Sequence, residues 1–521
     1  MAATEAILIY ALLFLISIFV LRRPLLGLIT PKGIKGFSAL PNPKPIVGDL
    51  FVVTQGVEKT GGIFLFVDEL AKQLGPIFQL RMFNQPILWI SDWSTAQKVA
   101  QDRSGDFENG ASGIPYFRQI IPKGMLVLVD PKWKTHRRIM APAMTAPYLS
   151  KSVSKMNDTL QSLISLWKSK AELARGRPFG LLRDTEDAAM DIICGMTFGS
   201  SWQCNRAAID QIKASRRVTT GEMDEAVYLV DPESMGSQNR PFIRLSHFFN
   251  FLRPTYRTQK SIFHGELQRA IDDSRRRFAA SDGDVRAFDA QNTLDLLIGK
   301  TESSKEDVPD DEIRDELATY LLAGTETSSA NVGWALKYLM NHPGIQVKLR
   351  EHLHSALGHV QPGECSVEDV APEKTPYLEA LVHETLRVAR IAVGVARRTV
   401  GDTTILGHHV PKDKVGFWKP GTSQNFDPSR WLDSEGAFNP DSGPSLPLGA
   451  GIRGCFGKNL ALLEMRMFLA QLNQAFFFAP VNEAQNSYAS IETITRQPKT
   501  ALARPVPWAS PEATAAIASM T

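Results

Sequence analysis

The sequence predicts a mainly α-helical fold with small β-sheets, preceded by an N-terminal membrane anchor helix. Three observations carry that reading. Two long stretches, 309–342 and 375–390, have helix-type composition and ends; strand-like runs are short and confined to residues 75–90; and the tail from residue 479, rich in Pro and β-branched residues, suits loops and short hairpins. A chain of 521 residues, 43% apolar and 22% charged, buries a large core. Its formal charge of +3, with no dense Lys/Arg block interleaved with aromatics, argues against nucleic acid as a partner. Cys194, Cys204, Cys365 and Cys455 form no C-x-x-C pair, and this sparse usage fits a reducing compartment.

Along the chain, the first element is the apolar run AILIYALLFLISIFVL at 6–21, closed by Arg22 and Arg23. It falls short of the ~20 residues of a straight span, so tilt or help from 25–29 is required. No Lys or Arg precedes it and no small-x-small cleavage site follows, which favours an anchor over a cleaved signal peptide. Positive charge on its C-terminal side (Arg22, Arg23, Lys32, Lys35) places the rest of the chain in the cytosol. Residues 1–24 are therefore read as the anchor, 25–50 as a proline-rich hinge and 51–521 as the body of the protein. PNPKPIVGDL at 41–50 is stiffened by alternating prolines and cannot be helix. Two strands are expected around Asn84-Gln85-Pro86, then a helix opened by Ser91 or Asp92. Residues 280–310 and 360–375 read as polar connections.

The helix at 309–342 starts with acidic residues suited to its N-terminus, yet its centre breaks the rules. Gly324 costs ~1 kcal/mol in a helix interior, and Thr325, Glu326, Thr327, Ser328 and Ser329 place polar groups in an otherwise apolar element. Either this is a solvent-facing patch whose hydroxyls bond back to helix carbonyls, or the helix lines a cavity in which glycine makes room and hydroxyl plus carboxylate handle protons. Glu384 and Arg387 share a helix face, as a surface ion pair would. Trp133 and Arg137, four apart, could offer an indole N–H and a guanidinium to one anionic group, or form a packed aromatic beside a basic face.

SLPLGAGIRGCFGKNLALLEMR at 445–466 crowds glycines around Cys455 ahead of a helix. GAGIRG matches the dinucleotide pattern G-x-G-x-x-G, but no β-strand precedes it and no ribose-binding acid lies between Glu464 and Glu483. Zinc is excluded by the absence of a second Cys or His at ligand spacing. A Cys-His nucleophile would need a partner His that one sequence does not locate, and an isolated Cys is most often inert; beside these stands a single thiolate ligand to a cofactor that brings its other ligands, as haem does.

These residues together resemble the cytochrome P-450 family of membrane-anchored haem-thiolate monooxygenases, from the anchor to about residue 500. PLGAGIRGCFGKNLA is similar to the family's cysteine loop, AGTETS at 323–328 to its oxygen-activating helix, and ETLR at 384–387 to its E-x-x-R. FDPSRW at 426–431 resembles the segment that completes that ion-pair network, W-x-x-x-R at 133–137 the propionate-binding helix and PNPKPIVGDL the proline hinge. The resemblance implies haem b with Cys455 as axial thiolate and metal ligand. It also implies Trp133, Arg137, Arg397 and Arg453 as partners of the haem propionates, and Thr327 with Glu326 as the proton-delivery pair. Glu384, Arg387 and Arg430 would be structural. No flavin module remains in the chain, so electrons would come from a separate NADPH-dependent reductase at the endoplasmic reticulum membrane. The substrate would be a lipophilic small molecule of specialised metabolism, terpenoid, polyketide or peptide-derived. A haem-thiolate isomerase or dehydratase without a reductase, or a non-catalytic haem-binding protein, are the alternatives. Three departures stand out: Leu448 replaces the family's Phe, VARIAVG follows Arg387 where a Pro is usual, and 410–426 is shorter than the family pattern.

Overall fold

The computed structural model describes residues 29–83, 85–101, 107–109, 115–199, 203–215, 254–281, 288–303, 308–358, 360–391, 397–399, 425–443, 445–482, 484–492 and 495–518. They are mainly helical with small sheets, as expected. The anchor at 6–21 lies outside the described residues, as do most of the unusually short segment 410–426 and the last three residues of the VARIAVG stretch. Among the described residues no single helix is long and apolar enough to cross a membrane.

Two compact units divide the described chain, one within residues 29–96 and one from residue 97 onward. In the first, β1 (Ser38–Ala39) pairs in parallel with β2 (Ile77–Met82), which forms a hairpin with β3 (Gln85–Ile90) around the expected turn. Phe78 and Leu80 point to one face of β2, where α1 (Leu50–Thr60) and α2 (Ile63–Leu74) cover them with Val53, Val57, Phe66, Val67 and Leu70. The proline segment is non-helical up to Leu50, and its end is docked on β2. The Arg81 backbone N–H donates to Asp49 Oδ2 at 2.7 Å and its guanidinium pairs with Oδ1 at 3.0 Å. Gly48 has φ +66°, and a Cβ there would lie 1.9 Å from the Arg81 carbonyl oxygen, so only glycine fits. The next helix, α3 (Trp93–Gln101), is opened by Asp92, whose Oδ1 accepts from Thr95 N at 2.7 Å and Ser94 Oγ at 2.9 Å.

The larger unit is organised on four further helices that bear on the site: α4 (Lys132–Met140), α5 (Leu182–Phe198), α6 (Asp310–Asn341) and α7 (Pro376–Ala389). A fifth, α8 (Lys458–Ala475), starts just after Cys455. The central α6 is 32 residues long and mostly buried. Its glycines let α5 approach: a Cβ on Gly324 would lie 2.9 Å from Ile193 Cγ1, and one on Gly333 would lie 2.8 Å from Leu182 Cδ2. The room that Gly324 was expected to open for a cavity is thus taken up by Ile193. The acidic first turn of α6 also latches α4, because Glu312 binds Lys132 (2.5 Å) and His136 (3.0 Å) while Glu316 binds His136 at 2.6 Å. Burial lowers the pKa of His136, but the two carboxylates more than offset this and leave it raised.

Small sheets complete the unit. β4 (Phe107–Asn109) pairs with β5 (Arg397–Thr399), and β6 (Ser490–Glu492) pairs with β7 (Arg496–Pro498). Two helices depart from the expectation. Thr293–Ser303 forms inside the stretch read as a polar connection, because Leu294, Leu297 and Ile298 sit at i, i+3 and i+4 and are buried together. Pro511–Ala518 forms in the tail, where Ala513 packs against Phe477 and Trp508.

Candidate active site

The cysteine loop is shaped by glycines in left-handed conformations, Gly449 at φ +69° and Gly451 at φ +67°. A Cβ on Gly451 would lie 2.0 Å from the Ala100 carbonyl oxygen, so the loop can pass the end of α3 only with glycine there. Cys455 N donates to Leu448 O at 2.8 Å, which closes the loop, and Leu448 supplies this bond through its backbone whatever its side chain. The Cys455 side chain is exposed, whereas Cys194 and Cys365 are buried. Protein atoms nevertheless crowd its sulfur. Their desolvation pushes the thiol up from its usual range, opposed by the Gly457 amide, Arg137 and Lys458. The groups opposing its protonation are the Gly457 amide and Lys458 at the turn that opens α8 and Arg137 on α4, but burial outweighs them.

Two of the expected guanidiniums meet at the Trp133 ring, and one of them, Arg137, acts on the thiol. Arg137 Nη1 donates to Gly454 O at 3.0 Å, and its Cζ stands 5.0 Å from the centre of the Phe456 ring. Arg453 stacks on Trp133 with Cζ 3.6 Å from the ring centre, and donates to Leu128 O (3.1 Å) and Asp130 Oδ1 (3.0 Å). Trp133 itself is buried. Arg397 lies in β5, opposite Asn109.

On α6, Ala323 is exposed and Thr327, one turn on, is half-buried, while Thr325, Ser328 and Ser329 are buried. The polar centre is therefore no solvent-facing patch, although two of its hydroxyls bond back to helix carbonyls. Thr327 Oγ1 donates to Ala323 O at 2.6 Å and Ser329 Oγ to Glu326 O at 3.1 Å, which is the back-bonding pattern. Glu326 instead reaches across to the segment around β7. Its Oε1 accepts from Thr495 Oγ1 (2.7 Å), Thr495 N (3.2 Å) and Gln497 Nε2 (3.3 Å). Two contacts tie α6 to the cysteine loop and its helix: Tyr320 stands edge-on to Phe456 at 5.9 Å, and Ser328 Oγ donates to Glu464.

Glu384 is fully buried, so the surface ion pair expected from its spacing is corrected. It accepts from Arg387 Nε and Nη2 (both 2.8 Å), Asp427 N (2.8 Å), Trp431 Nε1 (3.0 Å) and Arg430 Nε (3.1 Å). The sequence reading missed Glu464, Thr495, Gln497, His136 and Trp431. Only Trp431, adjacent to Arg430, carried a local signal. Among the described residues no group of three or more His, Cys, Asp or Glu side chains could hold a metal ion.

One open thiol in a glycine loop ahead of a helix, with guanidiniums beside it and no other ligand cluster among the described residues, is the donor set of a haem-thiolate protein. A family model for cytochrome P-450 matches residues 39–503, and the chain belongs to that family. It is similar to cytochrome P-450 monooxygenases of Pestalotiopsis microspora (27% identical, covering 90% of this chain and 93% of the relative) and Penicillium rubens (26%, 86% and 90%). A third, from Fusarium sporotrichioides, is 22% identical over 89% of this chain and 94% of the relative. The chain is a cytochrome P-450 monooxygenase, and its cofactor is haem with a cysteine thiolate as axial ligand.

Proposed function

We propose that this enzyme inserts one oxygen atom from dioxygen into a lipophilic small molecule of specialised metabolism, with electrons from NADPH through a separate reductase. The observation that carries the oxygen-activating reading is the centre of α6, where Glu326 and Thr327 stand beside the exposed Ala323 on a helix tied to the cysteine loop. The fungal relatives support a role in specialised metabolism. Bound haem supplies the redox chemistry. Cys455 would ligate its iron, and Trp133, Arg137, Arg397 and Arg453 would hold the propionates by charge and indole N–H. Thr327 would present its hydroxyl toward the reacting oxygen, and Glu326 would pass protons to it. Residues 1–24 would anchor the protein in the endoplasmic reticulum membrane, 25–50 would form the hinge and 51–521 the cytosolic catalytic domain. Protease added to sealed microsomes should then digest that domain.

The test supplies reductase, NADPH, heavy-isotope dioxygen and fractions of a lipophilic extract, with mass spectrometry for labelled oxygen in product. Thr327→Ala should keep the thiolate-type Soret band of the reduced carbon monoxide complex and lose product while peroxide rises; Cys455→Ala should lose the band. Wild-type product, NADPH use and peroxide in Thr327→Ala would reduce Thr327 to packing.

A further inference from the structure

The carboxylate of Glu326 is held from outside its own helix, and the holder is itself fixed. Thr495 is 2% exposed and gives both its hydroxyl and its backbone amide to Glu326 Oε1, at 2.7 and 3.2 Å, while Gln497 adds a third donor at 3.3 Å. Two donors from one residue onto one oxygen restrict the rotation that a glutamate side chain otherwise keeps. The next residue pins this donor pair in place. Arg496 N donates to Ile391 O at 3.1 Å, and its guanidinium donates to Ala389 O at 3.0 Å and Ser490 Oγ at 3.1 Å. That guanidinium lies 4.8 Å from the ring centre of Trp334, whose Nε1 donates back to Arg496 O at 3.0 Å. Trp334 stands eight residues beyond Glu326 on the same helix, so Thr495 is referenced to α6 and to the end of α7 together.

We propose that Thr495 is a positioning residue for the proton-delivery step: its hydroxyl and amide, with Gln497 as second tether, fix the orientation of the Glu326 carboxyl. This rests on the proton role of Glu326 proposed above. A proton moves efficiently only between groups held within hydrogen-bond reach, so a carboxyl that swings away slows the step without altering the fold.

The test uses full-length, haem-loaded protein with reductase, NADPH and dioxygen and no added substrate, following oxygen reduction in H2O and D2O. Thr495→Val should keep haem and raise the solvent isotope effect about twofold, as Glu326→Gln should, whereas Thr495→Ser should behave as wild type. A second readout needs no turnover. In denaturant, Thr495→Val should shift the unfolding midpoint in the wild type and leave it unmoved in Glu326→Leu. Additive midpoints would show that no coupling exists and overturn the proposal. An unchanged isotope effect in Thr495→Val beside a raised one in Glu326→Gln overturns the positioning role and leaves Glu326 its own. An unchanged effect in Glu326→Gln removes the proton role of Glu326 and the proposal with it. Should Thr495→Val not accumulate, Gln497→Leu takes its place in both comparisons.

Discussion

Two glutamates, both inaccessible to solvent, sit in adjoining parts of the larger unit and lead different lives. Glu384 on α7 takes five hydrogen bonds, three of them from two guanidiniums. Glu464 on α8 takes one, from Ser328, and its Oε1 has no partner among the described residues. Burial with little compensation raises the pKa of Glu464 to about 8. Depth is the same in the two places; what differs is how many donors the surroundings supply. A saturated carboxylate joins segments, whereas an undersupplied one keeps its proton and accepts from a single hydroxyl.

The comparison breaks most visibly at Glu384. Glu384→Ala leaves Arg387 and Arg430 buried beside each other without their anion, and should cost about 3–5 kcal/mol, read as a lower denaturation midpoint with little haem retained. A cost near zero would mean that the network holds nothing.

At Glu464 the contrast sharpens through pH. The folded protein keeps a proton that the unfolded chain releases near its ordinary carboxylate pKa, so this group's stabilisation is complete below that value. It is lost as pH rises toward about 8. Between about pH 6 and 7.5 the wild type should lose roughly 2 kcal/mol relative to Glu464→Gln in parallel urea titrations. Parallel curves would place the proton elsewhere. Ser328→Ala removes the one donor to Glu464 and should cost about 1–2 kcal/mol. Because that bond lowers the Glu464 pKa, its loss should also extend the pH-dependent decline to higher pH.

The smallest effect belongs to the contact of α6 with α5. Gly324→Ala gains helix propensity but presses on Ile193, for a net cost of about 1 kcal/mol. Adding Ile193→Ala should leave the double variant more stable than the sum of the two single losses allows.

Features written within one turn or loop were legible in the sequence. Asp92 opens a helix with its own side chain, Pro376 lies in the first turn of α7, and the left-handed Gly449 and Gly451 bend the loop that carries Cys455. Features made by two distant segments were not. Glu464 meets Ser328 across 136 positions and Glu326 meets Thr495 across 169, and helical spacing tells which residues share a face without telling what packs there. Gly324 shows the same limit: its lack of a side chain was evident, but the neighbour exploiting it was not. The short helix Thr293–Ser303 was obscured because its few apolar residues stand among polar ones.

The Glu384 cluster also holds the carbonyl of Asn425, bound by Arg387 Nη2 at 2.9 Å and Arg430 Nη2 at 3.1 Å, and Phe426 stacks on Tyr338 at 4.6 Å. The chain therefore leaves a paired strand at Thr399 and re-enters a clamp at Asn425. Both endpoints are fixed independently of what joins them. Glu384 thus fixes a backbone carbonyl through the same two guanidiniums that neutralise it, so its charge sets where the chain resumes as well as which side chains meet there.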